Sequence, residues 1–181
     1  FNRFLVREVA SSNIKSKELL WNVSMLRLTL TSVLFAIFAL GLYFFDPDKF
    51  RVSLILLATL AVLPQGVAYT ADGIFVGLRN LKFSAFSLFI ASTTVALAGY
   101  YLIAEGFGIT GAVVALILGQ VAFLTSSLVL LGKLRVINLS HIKLSGFKEI
   151  IKGSLPYGIL GVLGFLYFRV DSLLLVYLRG N

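Results

Sequence analysis

Long apolar runs broken by short polar clusters set the pattern of this chain. A helix that crosses a membrane needs about 20 mostly apolar residues to span a hydrocarbon core of about 30 Å. Five stretches meet that length: about 26–45, 52–78, 83–104, 109–131 and 156–178. The first is closed by Asp46-Pro47-Asp48, a turn sequence. The second contains Pro64, which has no backbone donor, and a kink is expected there. The third ends at Glu105-Gly106. Five such runs joined by short links predict an all-α, polytopic transmembrane bundle.

Between the fourth and fifth runs lies the one long link, 133–153. Its second half, Ile142 to Lys152, places Phe147, Ile150 and Ile151 on one helical face and Lys148, Glu149 and Lys152 away from it. That predicts a short amphipathic helix on the membrane surface. The link also divides the chain into a helix bundle over 1–132, a linker over 133–153, and the first helix of a second bundle over 154–181.

Composition agrees with lipid as the solvent. Hydrophobic residues make up 59% and charged residues 13%, with a mean hydropathy of +0.97. A soluble domain carries about 25% charged residues, so too little charge is present here to cover a water-facing surface. The net charge is +8, but the cations fall in clusters between apolar runs, which argues for cytoplasmic loops and against a nucleic-acid partner. There is no cysteine and one histidine, His141 in a polar link. Disulfides, thiolate chemistry and a histidine-based metal site are therefore excluded.

Orientation follows from the Lys and Arg positions. Arg3, Arg7, Lys15, Lys17, Arg27, Arg79, Lys82, Lys133, Arg135, Lys143, Lys148 and Lys152 fall on one side. Only Lys49, Arg51 and Arg179 fall on the other. Strict alternation then puts the N-terminal segment in the cytoplasm and residue 181 outside. Tyr43, Tyr100, Tyr101 and Tyr177 at outer helix ends, and Trp21 near an inner one, fit the aromatic belts of the interfaces. The sequons Asn22-Val-Ser24 and Asn138-Leu-Ser140 lie on the cytoplasmic side and are read as chance. The first residues are polar and basic and the last follow an apolar run directly, so the chain is expected to be an internal piece of a longer protein.

Polar residues inside the apolar runs are the candidates for function, because each charge at a helix centre costs about 2.5–3.5 kcal/mol on insertion scales. The fifth run carries Tyr167-Phe168-Arg169-Val170-Asp171. At 1.5 Å per residue from Pro156, Arg169 lies about 20 Å along the helix, within the core. Positions two apart point about 200° apart, so Arg169 and Asp171 need other partners or water. A charged path for a translocated molecule and an interhelical ion pair both meet that need. Asp72 and Arg79, seven residues apart on one face, are read as a hydrated helix end, with a cavity lining as the alternative. Gln65 and Gln120 are read as interhelical hydrogen-bonding groups that could equally line a cavity. Gly73 and Gly77, and the series Gly158, Gly161 and Gly164, are expected to let helices approach closely. No phosphate loop, carboxylate pair or catalytic triad is present, so no enzyme is expected and no cofactor is implied.

The strings Leu155-Pro156-Tyr157-Gly158 and Tyr167-Phe168-Arg169-Val170-Asp171-Ser172-Leu173-Leu174-Leu175 resemble the seventh helix of the polysaccharide biosynthesis family. These are Wzx-type oligosaccharide flippases within the superfamily of multidrug and oligosaccharidyl-lipid exporters. Gly73-Ile-Phe-Val-Gly77-Leu-Arg79-Asn80-Leu-Lys82 resembles the turn after the family's fourth helix, and Gly106-Phe-Gly108-Ile-Thr-Gly111-Ala its fifth-to-sixth hairpin. The resemblance implies a two-lobed fold of about twelve to fourteen helices around a central cavity. It implies a plasma-membrane protein that moves a polyprenyl-diphosphate-linked glycan between leaflets, coupled to a cation or proton. Arg169 would meet diphosphate or acidic sugar, and Asp171 a coupling ion or a basic partner. A cation-coupled multidrug exporter and a lipid-linked peptidoglycan precursor flippase are the nearest alternatives.

Overall fold

A computed structural model describes the backbone of residues 2–11, 15–45, 47–134 and 147–179. Every element among them is a helix: α1 Asn2–Ser11, α2 Lys15–Phe45, α3 Lys49–Leu60, α4 Val62–Gly77, α5 Leu81–Ala104, α6 Gly108–Lys133 and α7 Phe147–Arg179. Four stretches among the described residues are long and apolar enough to cross a membrane: Leu19–Phe44, Lys49–Gly77, Leu81–Ala104 and Gly108–Lys133. Their outer faces are apolar. Leu34, Ile37, Phe44, Leu97 and Ile109 are each more than 60% exposed, which water would not tolerate over so wide a belt and lipid does.

The break in the second span has a local cause. Pro64 cannot donate to the carbonyl four residues back, at Leu60, and its ring crowds that carbonyl. The helix accordingly stops at Leu60 and restarts at Val62. Ala61 turns the chain with its N–H bonded to the Ala58 carbonyl at 3.2 Å. Asp48 starts α3, accepting from the Phe50 and Arg51 N–H groups at 3.1 and 3.2 Å.

α5 and α6 form an antiparallel hairpin that α4 joins, and α1 and α2 pack on the other side of α4. α5 is ended by Gly106 at φ +87°, where the Gly106 and Phe107 N–H groups bond the Ile103 and Leu102 carbonyls at 3.0 and 3.1 Å. α4 is closed the same way, with Arg79 and Asn80 bonding the Val76 and Phe75 carbonyls at 3.0 and 2.8 Å. Here the left-handed position is held by Arg79, at φ +59°. A side chain in that conformation costs about 1–2 kcal/mol. Arg79→Gly should therefore raise the thermal unfolding midpoint in detergent by the equivalent of about 1 kcal/mol. An unchanged or lower midpoint would mean that the turn holds Arg79 without strain.

Several expectations are revised. The N-terminal segment, for which no span was expected, forms α1 and packs into the bundle: Leu5 and Val9 are fully buried, with Leu20 and Val23 of α2, against Ile74 and Phe75. The first span starts near Leu19 rather than at 26, because Leu19, Leu20, Val23 and Leu26 recur at helical spacing and carry the buried Asn22 and Ser24 with them. Trp21 packs partly against this core with Nε1 buried. Phe147–Lys152 form the first turns of α7 instead of a separate surface helix, and Pro156 lies inside α7 rather than at its start. Residues 142–146 lie outside the described residues. Gly73 and Gly77 do face a close neighbour, α1, whereas a Cβ at Gly158, Gly161 or Gly164 would meet nothing within 4 Å.

Candidate functional site

An open cleft of about 560 Å³ lies beside the α3–α4 break. Asn2, Arg27, Thr31, Gln65 and Tyr69 line it, together with Leu30, Leu34 and Val62. Arg27 lies eight positions beyond Leu19, about 12 Å into the span at 1.5 Å per residue. Its Nη1 donates to the Gly66 carbonyl at 3.2 Å, and its Nη2 donates to the Asn2 side-chain carbonyl.

The sequence explains the arrangement. The restart at Val62 places Gln65 and Gly66 in the first turns of α4. A Cβ on Gly66 would lie 3.8 Å from the Arg27 Cβ, an ordinary contact, so α2 and α4 lie side by side at this level. The Gly66 carbonyl also accepts from the Thr70 hydroxyl at 3.0 Å. A guanidinium at the mouth of a cleft is a fitting group for phosphate or carboxylate oxygens.

Of the residues singled out in the sequence, Gln65 lines this cleft. Asp72 is elsewhere on α4, half-buried, and accepts a hydrogen bond from the Ser84 hydroxyl of α5. Arg79 is exposed in the turn beyond α4, so the seven-residue helical face expected to join it to Asp72 does not form. Gln120, in α6, has a buried Oε1 with no hydrogen-bond partner. Tyr167 is 77% exposed on α7. Arg169 and Asp171 belong to α7, but their side chains lie outside those the structure describes. The structure thus brings Gln65 to a cationic cleft and leaves Asp72, Arg79 and Gln120 apart from it.

Arg27 escaped the sequence reading because the first span was started at Leu26, which left Arg27 at its edge and counted it with the loop cations. The signal that finds it is the Leu19-Leu20-Val23-Leu26 repeat, which carries the helix back past it. Among the described residues no group of three or more His, Cys, Asp or Glu could hold a metal ion.

A protein family described as polysaccharide biosynthesis protein matches the chain over residues 1–181. No curated protein and no solved structure matches it.

Proposed function

The chain belongs to the polysaccharide biosynthesis protein family, and from that premise we propose that it carries a lipid-linked oligosaccharide across the plasma membrane. The family match along the whole chain is the observation that carries this reading. It is a multi-pass membrane protein by its four long apolar helices, and its part in polysaccharide synthesis is then to move a glycan rather than to build one.

The Arg27 cleft adds a physical reason. A lipid-linked glycan presents a diphosphate joined to an apolar tail on one side and sugar hydroxyls on the other. The guanidinium of Arg27 meets the diphosphate, Gln65, Thr31 and Asn2 offer donors and acceptors to hydroxyls, and Leu30, Leu34 and Val62 continue the wall toward the acyl region. Arg169 and Asp171 would extend the charged path in the second lobe of a two-lobed exporter fold. The basic excess at Arg79, Lys82 and the link after α6 supports a cytoplasmic position for those loops.

Deleting the gene should abolish surface polysaccharide while the lipid-linked glycan accumulates, measured by extracting and quantifying the carrier-bound sugar. Loss of the lipid-linked glycan itself would instead assign the protein to glycan assembly. Normal surface polysaccharide would sink the reading.

A further inference from the structure

The Arg27 cleft does not end at its polar residues. A second groove, of about 480 Å³, adjoins it, and the two share Thr31, Leu34 and Val62. Ile37 and Phe38 of α2 and Thr59 of α3 carry this groove on, and none of its described walls is charged. The Thr59 hydroxyl donates to the Ile55 carbonyl at 2.7 Å, so it brings no unmatched donor to the wall.

The walls belong to neighbouring helices. Arg27 lies beside Gly66 at one end. Seven residues on from Arg27 is Leu34, seven back from Gly66 is Thr59, and both line the groove. At 1.5 Å per residue, Thr31 to Phe38 covers about 10 Å, from about 18 to about 28 Å along the span that starts at Leu19. In a span of 26 residues that stretch is the middle, between the two headgroup layers.

Width decides what fills it. A volume of about 480 Å³ over about 10 Å gives a section of about 45 Å². A helix, about 10–12 Å across, needs about 80–110 Å², so another helix would rest on the rim rather than enter. One hydrocarbon chain, with carbon contacts of about 3.5–4.0 Å on either side, fits between the walls. Leu34 and Ile37 are each more than 60% exposed, so the groove is open sideways and a chain enters it from the bilayer without crossing water.

We propose that this α2–α3 groove holds the part of a prenyl chain next to its diphosphate, with the diphosphate at Arg27. The order of chemistry along one line selects that occupant. A guanidinium comes first, then an apolar channel one chain wide, reaching Phe38 about 16 Å beyond Arg27. A prenyl diphosphate carries an anion and a single apolar chain in the same order, whereas a glycerophospholipid brings two chains. The groove is short and open, so it grips the first part of a long chain and leaves the rest in lipid. The choice of a prenyl carrier rests on the transport reading, but the binding can be measured apart from transport.

The test is thermal unfolding of the purified full-length protein in a neutral detergent, titrated with farnesyl diphosphate, inorganic pyrophosphate or dioleoyl phosphatidate. A ligand that binds the folded state alone raises the midpoint in a saturable way. Wild type should respond to farnesyl diphosphate at a concentration at least about a hundredfold below that needed for pyrophosphate, because only the former buries a chain. Ile37→Trp fills the groove from an exposed position that does not line the Arg27 cleft. It should melt as wild type does and lose at least about tenfold of the prenyl advantage, about 1.4 kcal/mol. Thr59→Phe does the same from the α3 wall and decides the matter should Ile37→Trp fail to fold. No response to farnesyl diphosphate, an equal response to the two-chain phosphatidate, or an undiminished prenyl advantage in the groove variants would each overturn the site. Glycan export in cells expressing Ile37→Trp reads the transport premise separately. Lost prenyl binding with unchanged export would keep the groove and remove its use in transport, whereas intact prenyl binding would overturn the groove whatever export did.

Discussion

Arg27→Leu in the full-length protein should lower surface polysaccharide by at least about tenfold while the amount of protein in the membrane stays normal. The two halves of that result have different causes. Arg27 lies inside a membrane-length helix, where an arginine costs about 2.5–3.5 kcal/mol on insertion scales and a leucine is favourable. Insertion should therefore improve. Of the groups Arg27 leaves behind, the Gly66 carbonyl keeps its Thr70 partner and Asn2 is exposed.

What disappears is a fixed cation at the mouth of a cleft. Charge-assisted hydrogen bonds contribute about 1.5–3 kcal/mol each, and each 1.4 kcal/mol is a factor of ten in a rate or an equilibrium. Arg27→Lys keeps the charge but loses the fork that grips Gly66 and Asn2 together, so it should fall between wild type and Arg27→Leu. The check is quantitative immunoblotting beside a surface-glycan assay. Export at wild-type level in Arg27→Leu would remove the cleft from the transport path and leave Arg27 as a strut between α2 and α4.

The helical, membrane-spanning character of the chain was legible because it depends on length and hydropathy, which a sequence carries openly. The break near Pro64 was legible for the same reason, since a missing N–H acts on a known neighbour four residues away. The hidden features depend on which helix meets which. Asp72 paired in expectation with Arg79 on its own helix, yet the Schellman-type turn takes Arg79 out of the helix and the Ser84 hydroxyl arrives from α5. Arg27 was visible but misplaced, since a span boundary drawn from hydropathy alone cuts at the first interruption.

The glycines give the clearest separation between a pattern and a contact, and they lead to the second large effect. Gly73 and Gly77 both face α1, but they meet different kinds of atoms. A Cβ at Gly73 would lie 2.7 Å from Leu5 Cδ2, the far end of a flexible side chain, with Leu5 Cγ at 3.6 Å and Cβ at 3.9 Å. A Cβ at Gly77 would lie 2.7 Å from Val9 Cβ and 2.8 Å from Val9 Cγ1, with the Val6 carbonyl oxygen at 3.3 Å. Leu5 can rotate away, whereas Val9 Cβ is fixed to the backbone and a whole helix would have to move.

Gly77→Ala should therefore cost about 1–3 kcal/mol through overpacking, and Gly77→Leu should deplete the protein from the membrane. Gly73→Ala should cost less, and Leu5→Ala in the same chain should remove that clash, so the double variant should fall less than the two single losses added together. Leu5→Ala should bring no relief to Gly77→Ala. On α7, where a Cβ at Gly158 would meet nothing, Gly158→Ala should leave the midpoint unchanged or raise it by up to about 1 kcal/mol, the ordinary gain from removing a glycine within a helix. Steady-state levels and unfolding midpoints of these variants test the order. If Gly158→Ala proved as damaging as Gly77→Ala, that face of α7 would be a packing surface, and α1 would not be the helix that these glycines serve.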